Sequence, residues 1–310
     1  MLTQARISIP GKTFIAGEYL ALVGGPALVL ATNPRFSLTI TARTKPAIEG
    51  LNFHPDGPSG KFLSLQSDFF KNWDMSFNDP YSIGGFGASS AQFALLHLFY
   101  QKGQDIFGDG QGQWDLHQML QDYRQLSSEN KGFPPSGADI VGAVSGGITW
   151  FERSQGRVQT FSWPFQEIEF FVLSTGQKVP THEHLQGLSQ IPEVVLSAPM
   201  LSLHEALSRL DWSQFLRAMR QYRDALWNQG WCAEHSQKIV KTLENHSEVL
   251  LAKGCGALGA DVVIVFCEKS KSPSVRALID KSGLKIVASS SDVSPGIQVE
   301  LSSHQKEVTL

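Results

Sequence analysis

The sequence is short of the features that mark several broad classes of protein. It has three cysteines, Cys232, Cys255 and Cys267, an odd number with no CxxC spacing. That argues against both a disulfide framework and a cysteine zinc site, and points to a reducing compartment. No stretch approaches the roughly 18 consecutive apolar residues of a membrane span. The first residues, MLTQARISIPGK, hold no apolar core after basic residues, so the expected location is the cytoplasm, with no membrane partner. Excess positive charge is missing too: 26 Lys and Arg stand against 29 Asp and Glu, a formal net charge of −3. No global field exists to hold nucleic acid, and any anion must be held locally. His182, Glu183 and His184 lack HExxH spacing and a nearby third ligand, which argues against a metal site there. The seven tryptophans have no basic accompaniment, so packing explains them better than base stacking.

What is present suits a globular protein. Hydrophobic residues make up 42% and charged residues 18% of 310, enough for one large domain or two of about 150 residues sharing a cleft. Short β-prone runs at Arg6 to Ile9, Phe14 to Ala16, Ala27 to Ala31 and Phe36 to Ala42 predict a sheet at the start. Ser89 to Gln101 has apolar residues at helical spacing behind a serine, and Trp114 to Leu126 reads as a second helix. After the Trp163-Pro164 turn a new strand, Glu167 to Leu173, begins. The expected division is therefore 1–165 and 166–310. The second half predicts a helical hairpin over Leu201 to Gln229 and Glu234 to Leu251. A strand at Asp261 to Phe266, a helix near Pro273 to Lys281, and strands at Leu284 to Ala288 and Ile297 to Leu301 follow it. Strands and helices are segregated, an α+β pattern.

The most informative segment is GGFGASSAQ, Gly84 to Gln92. Glycines that open an apolar helix let backbone amides converge on an anion, and a triphosphate suits such a site. Taken alone, the segment equally suits a tight turn with Ser89 as a plain helix cap. Two other nucleotide patterns fail. Gly11, Lys12 and Thr13 resemble the end of a P-loop, but the earlier glycine would fall on Arg6. Gly254, Gly256 and Gly259 fit GxGxxG but precede a strand instead of following one.

Four segments occur in order: PGKTFIAGEYLALVGGPALVLAT from Pro10, GFGASSA from Gly85, PSGADIVGAVSGG from Pro135 and AKGCGALGADVVIVF from Ala252. Together they resemble the GHMP kinases, the family of galactokinase, homoserine kinase, mevalonate kinase and phosphomevalonate kinase, over nearly the whole chain. Within the family, GEY at Gly17 to Tyr19 and GALGAD at Gly256 to Asp261 look most like phosphomevalonate kinases. QKVPTHEHL at Gln177 to Leu185 looks like mevalonate kinases.

The resemblance implies a two-domain GHMP kinase fold: an N-terminal domain similar to the second domain of ribosomal protein S5, a ferredoxin-like C-terminal domain, and an active site between them. It implies ATP and Mg2+, a small-molecule phosphoryl acceptor, and leaves a homodimer open. By the same resemblance, Gly85, Phe86, Gly87, Ala88, Ser89 and Ser90 wrap the ATP phosphates. Ser89 stands at the family's magnesium serine, with Glu129 near its magnesium glutamate. Asp139 matches the aspartate placed beside the acceptor oxygen, with Lys12 as its basic partner. A carboxylate near a lysine can orient a nucleophile and compensate charge on a transferring phosphoryl group. Read from the residues alone, Asp139 also suits a helix cap and Lys12 the surface. Glu18, Tyr19, Ser136, Gly137, Lys178, Gly256 and Ala257 are the candidate substrate contacts, with His182 beside Lys178 as another group suited to an acidic substrate. Glu18 is alternatively structural or orients Lys12.

Three departures stand out: Tyr81 where the family has proline, Ala88 where it has serine, and Leu258 with Ala260 where it has glycines. Side chains on that last loop demand another backbone conformation or narrow the pocket. The expected activity is ATP-dependent phosphorylation of phosphomevalonate. Mevalonate or another metabolite is the nearest alternative, and a catalytically silent nucleotide-binding protein is the alternative from another class.

Overall fold

The computed structural model describes residues 4–43, 51–103, 114–127, 133–177, 188 and 190–302. The four short runs predicted in the first forty residues join into two long strands, β1 (Gln4–Ala16) and β2 (Pro26–Ala42), paired antiparallel along most of their length. Register shifts at Pro10/Gly11 and Phe14/Ala16 absorb the irregular residues without ending the ladder, the usual use of a bulge. Strands β3 (Trp73–Asn78), β4 (Ile148–Glu152) and β5 (Arg157–Phe161) complete the predicted sheet. Two short helices, α1 (Pro58–Leu65) and α2 (Ser67–Phe70), precede β3. Helices α3 (Ala88–Lys102) and α5 (Ala138–Ser145) lie on β1 and β2, with α4 (Leu116–Ser127) beside α3.

A second sheet has the order β7 (Val249–Cys255), β8 (Val262–Glu268), β6 (Ile168–Ser174), β9 (Lys285–Ser289). Its central strands are apolar on both faces, and their side chains alternate with the strand period. Phe170, Val172, Val262, Ile264 and Phe266 enter the large core that also takes Ile7, Ile9, Leu30 and Phe93 from the first sheet and α3. Phe171, Leu173, Val263, Val265 and Cys267 point the other way. There they meet α8 (Glu234–Glu244) and α9 (Ser272–Lys281) through Val240, Leu243, Val275 and Ile279. One apolar core therefore runs through both sheets.

The predicted helical hairpin differs in two ways. Helices α6 (Glu193–Arg209) and α7 (Trp212–Asn228) are separate, because Leu210 turns left-handed (φ 59°) and the Asp211 carboxylate accepts from the Gln214 amide at 2.8 Å. That is an N-cap, which starts a new helix. Val249–Leu251, expected at the helical end, belongs to β7.

The last strand also departs from expectation. Strand β10 (Gln298–Ser302) pairs with β1 instead of completing the second sheet, so the expected unit 166–310 returns its end to the first sheet. Arg35 collects this return: its guanidinium donates to Ser8 Oγ at 3.0 Å, to Ser294 Oγ and the Pro295 carbonyl at 2.8 Å, and to the Gly296 carbonyl. Gly296 passes so close to α5 that a methyl there collides with the Val144 carbonyl oxygen. Gly296→Ala is accordingly expected to cost about 1–3 kcal/mol, read as a lower urea midpoint at unchanged slope. An unchanged midpoint would show that the segment does not dock here.

Candidate active site

Pro10 and Gly11 form a bulge that re-aims β1, not the end of a phosphate loop. Proline brings no amide to the ladder, and Gly11 leaves room for the Tyr81 ring, which stands where a side chain would be. Tyr81 stacks on Phe86 with ring centroids 4.5 Å apart and 4° between planes, and its hydroxyl donates to the Pro34 carbonyl at 2.7 Å. The aromatic pair thus does the work of holding the approach to the glycine segment where the related pattern has a proline. Next along β1, the Lys12 amide donates to the Phe86 carbonyl at 3.0 Å. The strand and the glycine segment are stitched together at the lysine.

Gly87 is the N-cap of α3 with φ 92°, a conformation that disfavours a side chain. The Lys12 side chain runs beside it: a methyl at Gly87 would stand 2.8 Å from Lys12 Cε. Among the described residues no side chain caps α3 and no acid lies in its first turn, an arrangement that suits an anion at its positive end. Ser89 is exposed there. Ser90 is buried with its hydroxyl donated to the Gly87 carbonyl at 2.9 Å. Phe86, expected at the nucleotide, has its side chain in the core and its carbonyl occupied by Lys12.

Asp139 lies in the first turn of α5, whose N-cap is Gly137. Ser136 is buried, and its hydroxyl accepts from the Ala138 amide at 3.2 Å. Burial lowers the Lys12 pKa from the usual lysine range, while the carboxylates of Asp139 and then Asp261 oppose that shift. Tyr123 is buried beside them; burial first, and Asp139 second, push its hydroxyl pKa well up. The glycine segment, Lys12 and Asp139 thus share one locality. Asp261 joins them from the second sheet, with its Cβ 3.0 Å from where a methyl on Gly85 would be. A cavity of about 90 Å³ between the two sheets is lined by Ile83, Gly84, Ser174, Gly176, Gln177 and Asp261. Sequence reasoning quoted Asp261 within its motif but gave it no role. Its signal is an acid placed between a glycine turn and an apolar strand.

Two predicted substrate contacts are placed elsewhere. Glu18 is buried and its Oε1 accepts from Lys253 Nζ at 2.8 Å, not from Lys12. Burial raises its pKa and Lys253 opposes this. Tyr19 is fully buried, stacked on Trp231 with centroids 4.4 Å apart, and its hydroxyl accepts from the Leu258 amide at 3.0 Å. Both side chains are buried, with Glu18 Oε1 and the Tyr19 hydroxyl engaged by the protein, while Glu18 Oε2 has no hydrogen-bond partner among the described residues. Gly256 faces open space and Ala257 is half-buried. Glu129, Lys178 and His182 lie outside the described residues.

No protein-family model matches the chain, and no curated protein sequence does. Solved structures do match. Phosphomevalonate kinase of Streptococcus pneumoniae, in complex with phosphomevalonate and AMPPNP, superposes with TM-score 0.72 at 15% identity, over 92% of this chain and 98% of that one. Mevalonate kinase of Methanococcus jannaschii gives 0.66 at 16% identity over 92% and 97%. Homoserine kinase of Cytophaga hutchinsonii gives 0.67 at 12% identity over 97% and 98%. This chain has the GHMP kinase fold. The expected α+β architecture stands on that match, and in the GHMP fold of this chain the segments at Lys12, Gly87, Asp139 and Asp261 come from four separate stretches of sequence.

The electrostatics carry a direct test. Removing a neighbouring carboxylate disfavours the ammonium form, so Asp139→Asn is expected to move the Lys12 titration midpoint to lower pH. The lysine 13Cε chemical shift reports that midpoint. A midpoint unmoved by the substitution would mean that the two groups do not interact.

Proposed function

We propose that this chain is an ATP-dependent phosphotransferase acting on a small acidic metabolite, with phosphomevalonate as its acceptor. The observation that carries the reading is Lys12 lying along Gly87 of the glycine segment while Asp139 opposes the loss of its proton. In the reaction the bond from the γ-phosphorus to its bridging oxygen breaks, an acceptor oxygen bonds to that phosphorus, and ADP leaves. Backbone amides of Gly85, Gly87, Ala88 and Ser89 at the open end of α3 hold phosphate oxygens. Lys12 compensates charge on the transferring group, and Asp139 orients the acceptor oxygen or, for a hydroxyl, accepts its proton. Support for the nucleotide and acceptor comes from the S. pneumoniae enzyme of this fold, which carries AMPPNP and phosphomevalonate. The division near residue 165, with the site in the cleft, is part of this reading.

Magnesium accompanies the nucleotide in this proposal. Among the described residues no cluster of three His, Cys, Asp or Glu side chains could hold an ion by itself. Magnesium takes one or two protein oxygens together with phosphates and water. The exposed Ser89 hydroxyl and the carboxylate of Glu129 are the proposed ligands. The ion would neutralise charge on the phosphate oxygens. A second reading, mevalonate as acceptor, is favoured by the QKVPTHEHL segment.

A coupled assay of ADP release across phosphomevalonate, mevalonate, homoserine and simple sugars tests the proposal. Turnover with phosphomevalonate is expected, and Lys12→Met and Asp139→Asn should each lower kcat by about 10²–10⁴ with ATP still bound. ATP binding without ADP release on any acceptor would instead make the chain a silent nucleotide-binding protein.

A further inference from the structure

Leu258 holds φ 58° and ψ 0° between Gly256 and Gly259. A bulky residue in that region is an outlier that persists only where its surroundings impose it. Here the surroundings are identifiable. The Leu258 amide donates to the Tyr19 hydroxyl at 3.0 Å, and its carbonyl accepts from the Ala233 amide at 2.8 Å. The Tyr19 ring is clamped against Trp231 just before Ala233, so both restraints are anchored on one rigid stack. At the near end of the same segment, Lys253 Nζ donates to the Gly254 carbonyl at 2.8 Å while paired to Glu18. At the far end, Thr175 holds the Ala260 carbonyl through its hydroxyl at 2.8 Å and the Asp261 carbonyl through its amide at 3.0 Å. Two consecutive residues of the first sheet's chain, Glu18 and Tyr19, thus reach the near end and the middle of a segment about 240 positions away, and that segment ends at Asp261 beside Lys12.

We propose that Glu18 and Tyr19 are positioning residues that bracket the Gly254–Asp261 segment and so fix Asp261 against Lys12 for phosphoryl transfer. This rests on the kinase reading above and replaces substrate contact as the role of the Gly17-Glu18-Tyr19 triplet. Glu18 acts through Lys253, and Tyr19 acts directly on the strained residue. A substrate-binding role would need their polar atoms at a ligand. Both side chains are instead buried, and Trp231 covers the Tyr19 ring.

The test is Tyr19→Phe, which removes one hydroxyl and keeps the ring stack. Faster hydrogen exchange at the amides of residues 256–261 is expected, without faster exchange in α3. With the acceptor that the wild type uses, kcat should fall about five- to tenfold, as loss of one restraining hydrogen bond implies, while KM for ATP stays unchanged. Adding Leu258→Gly should recover part of that loss, because glycine takes a positive φ without restraint. A lowered Tm with kcat and the exchange of 256–261 both unchanged would reduce Tyr19 to a packing residue and overturn the proposal. Absence of recovery would overturn strain at Leu258 as the reason for the bracket. If the wild type transfers no phosphoryl group at all, the kinase reading fails, and the exchange measurement still decides the bracket.

Discussion

A carboxylate and an ammonium 2.8 Å apart, both almost without solvent access, join the corner after β1 to strand β7. Burying two charges is costly, and an ion pair so placed repays the cost only when its geometry is complete. Lys253 goes part of the way by donating also to its neighbour's carbonyl and lying over the Tyr222 ring, 5.6 Å from the centroid, while Glu18 Oε2 has no hydrogen-bond partner among the described residues. The pair gains nothing when half formed, because removing either partner leaves a buried charge at a cost of about 3–5 kcal/mol. It therefore works less as added stability than as a condition on how the two sheets meet. With that condition satisfied, the apolar faces of β6 and β8 merge with the core under β1 and β2. The loops at the sheet ends are then set near one another.

On the proposed kinase reading, a chain of net charge −3 would have to hold a polyanion by local groups. An open helix end contributes about 0.3–1 kcal/mol toward an anion in an exposed setting, and up to about 2 when partly buried. That alone is too little to hold a triphosphate against a net negative protein. In that reading Lys12 is the local cation, in surroundings where burial works against its proton. Asp139 and Asp261 counter that loss, one from α5 and the other from the start of β8. A cation without those acids would tend to neutralise. The acids without the cation would repel the phosphates.

Much of the fold was legible because its signals are local. The apolar spacing from Ala91 to Phe99 marks α3 to within a residue or two, and the unbroken apolar run VVIVF after Asp261 marks β8. The break between α6 and α7 had a signal that went unused: Asp211 followed three positions later by Gln214 is the pattern of a helix start. Other features have no local signal. Nothing in Ile297–Leu301 says which sheet it joins, because any amphipathic strand fits several edges; Arg35 and the close passage of Gly296 decide it. Glu18 and Lys253 are 235 positions apart, and no pattern in either segment announces the other. The glycine segment and the Lys12–Asp139 pair were reachable only through the joint order of four motifs, since each motif alone has an ordinary structural explanation.

On the proposed kinase reading, the two halves of the reaction would place different demands on sequence. Phosphates would be met by backbone amides, and the glycine segment is constrained by conformation: Gly87 takes a positive φ and leaves room for Lys12, so a side chain there is strained. Acceptors are met by side chains and by the shape of loops, which can change while the backbone donors stay in place. The Gly254–Asp261 segment shows how far such change can go. Leucine and alanine stand at positions 258 and 260 where a run of glycines would be the easy solution, and the chain accommodates the leucine by spending a tyrosine hydroxyl and a neighbouring amide on it. A strained residue kept in place by two dedicated hydrogen bonds is costly to keep and simple to lose by mutation. Phosphomevalonate, mevalonate and homoserine kinases share this fold at 12–16% identity to this chain, so the fold by itself does not choose the acceptor, and the proposed choice rests on what the loops add to it.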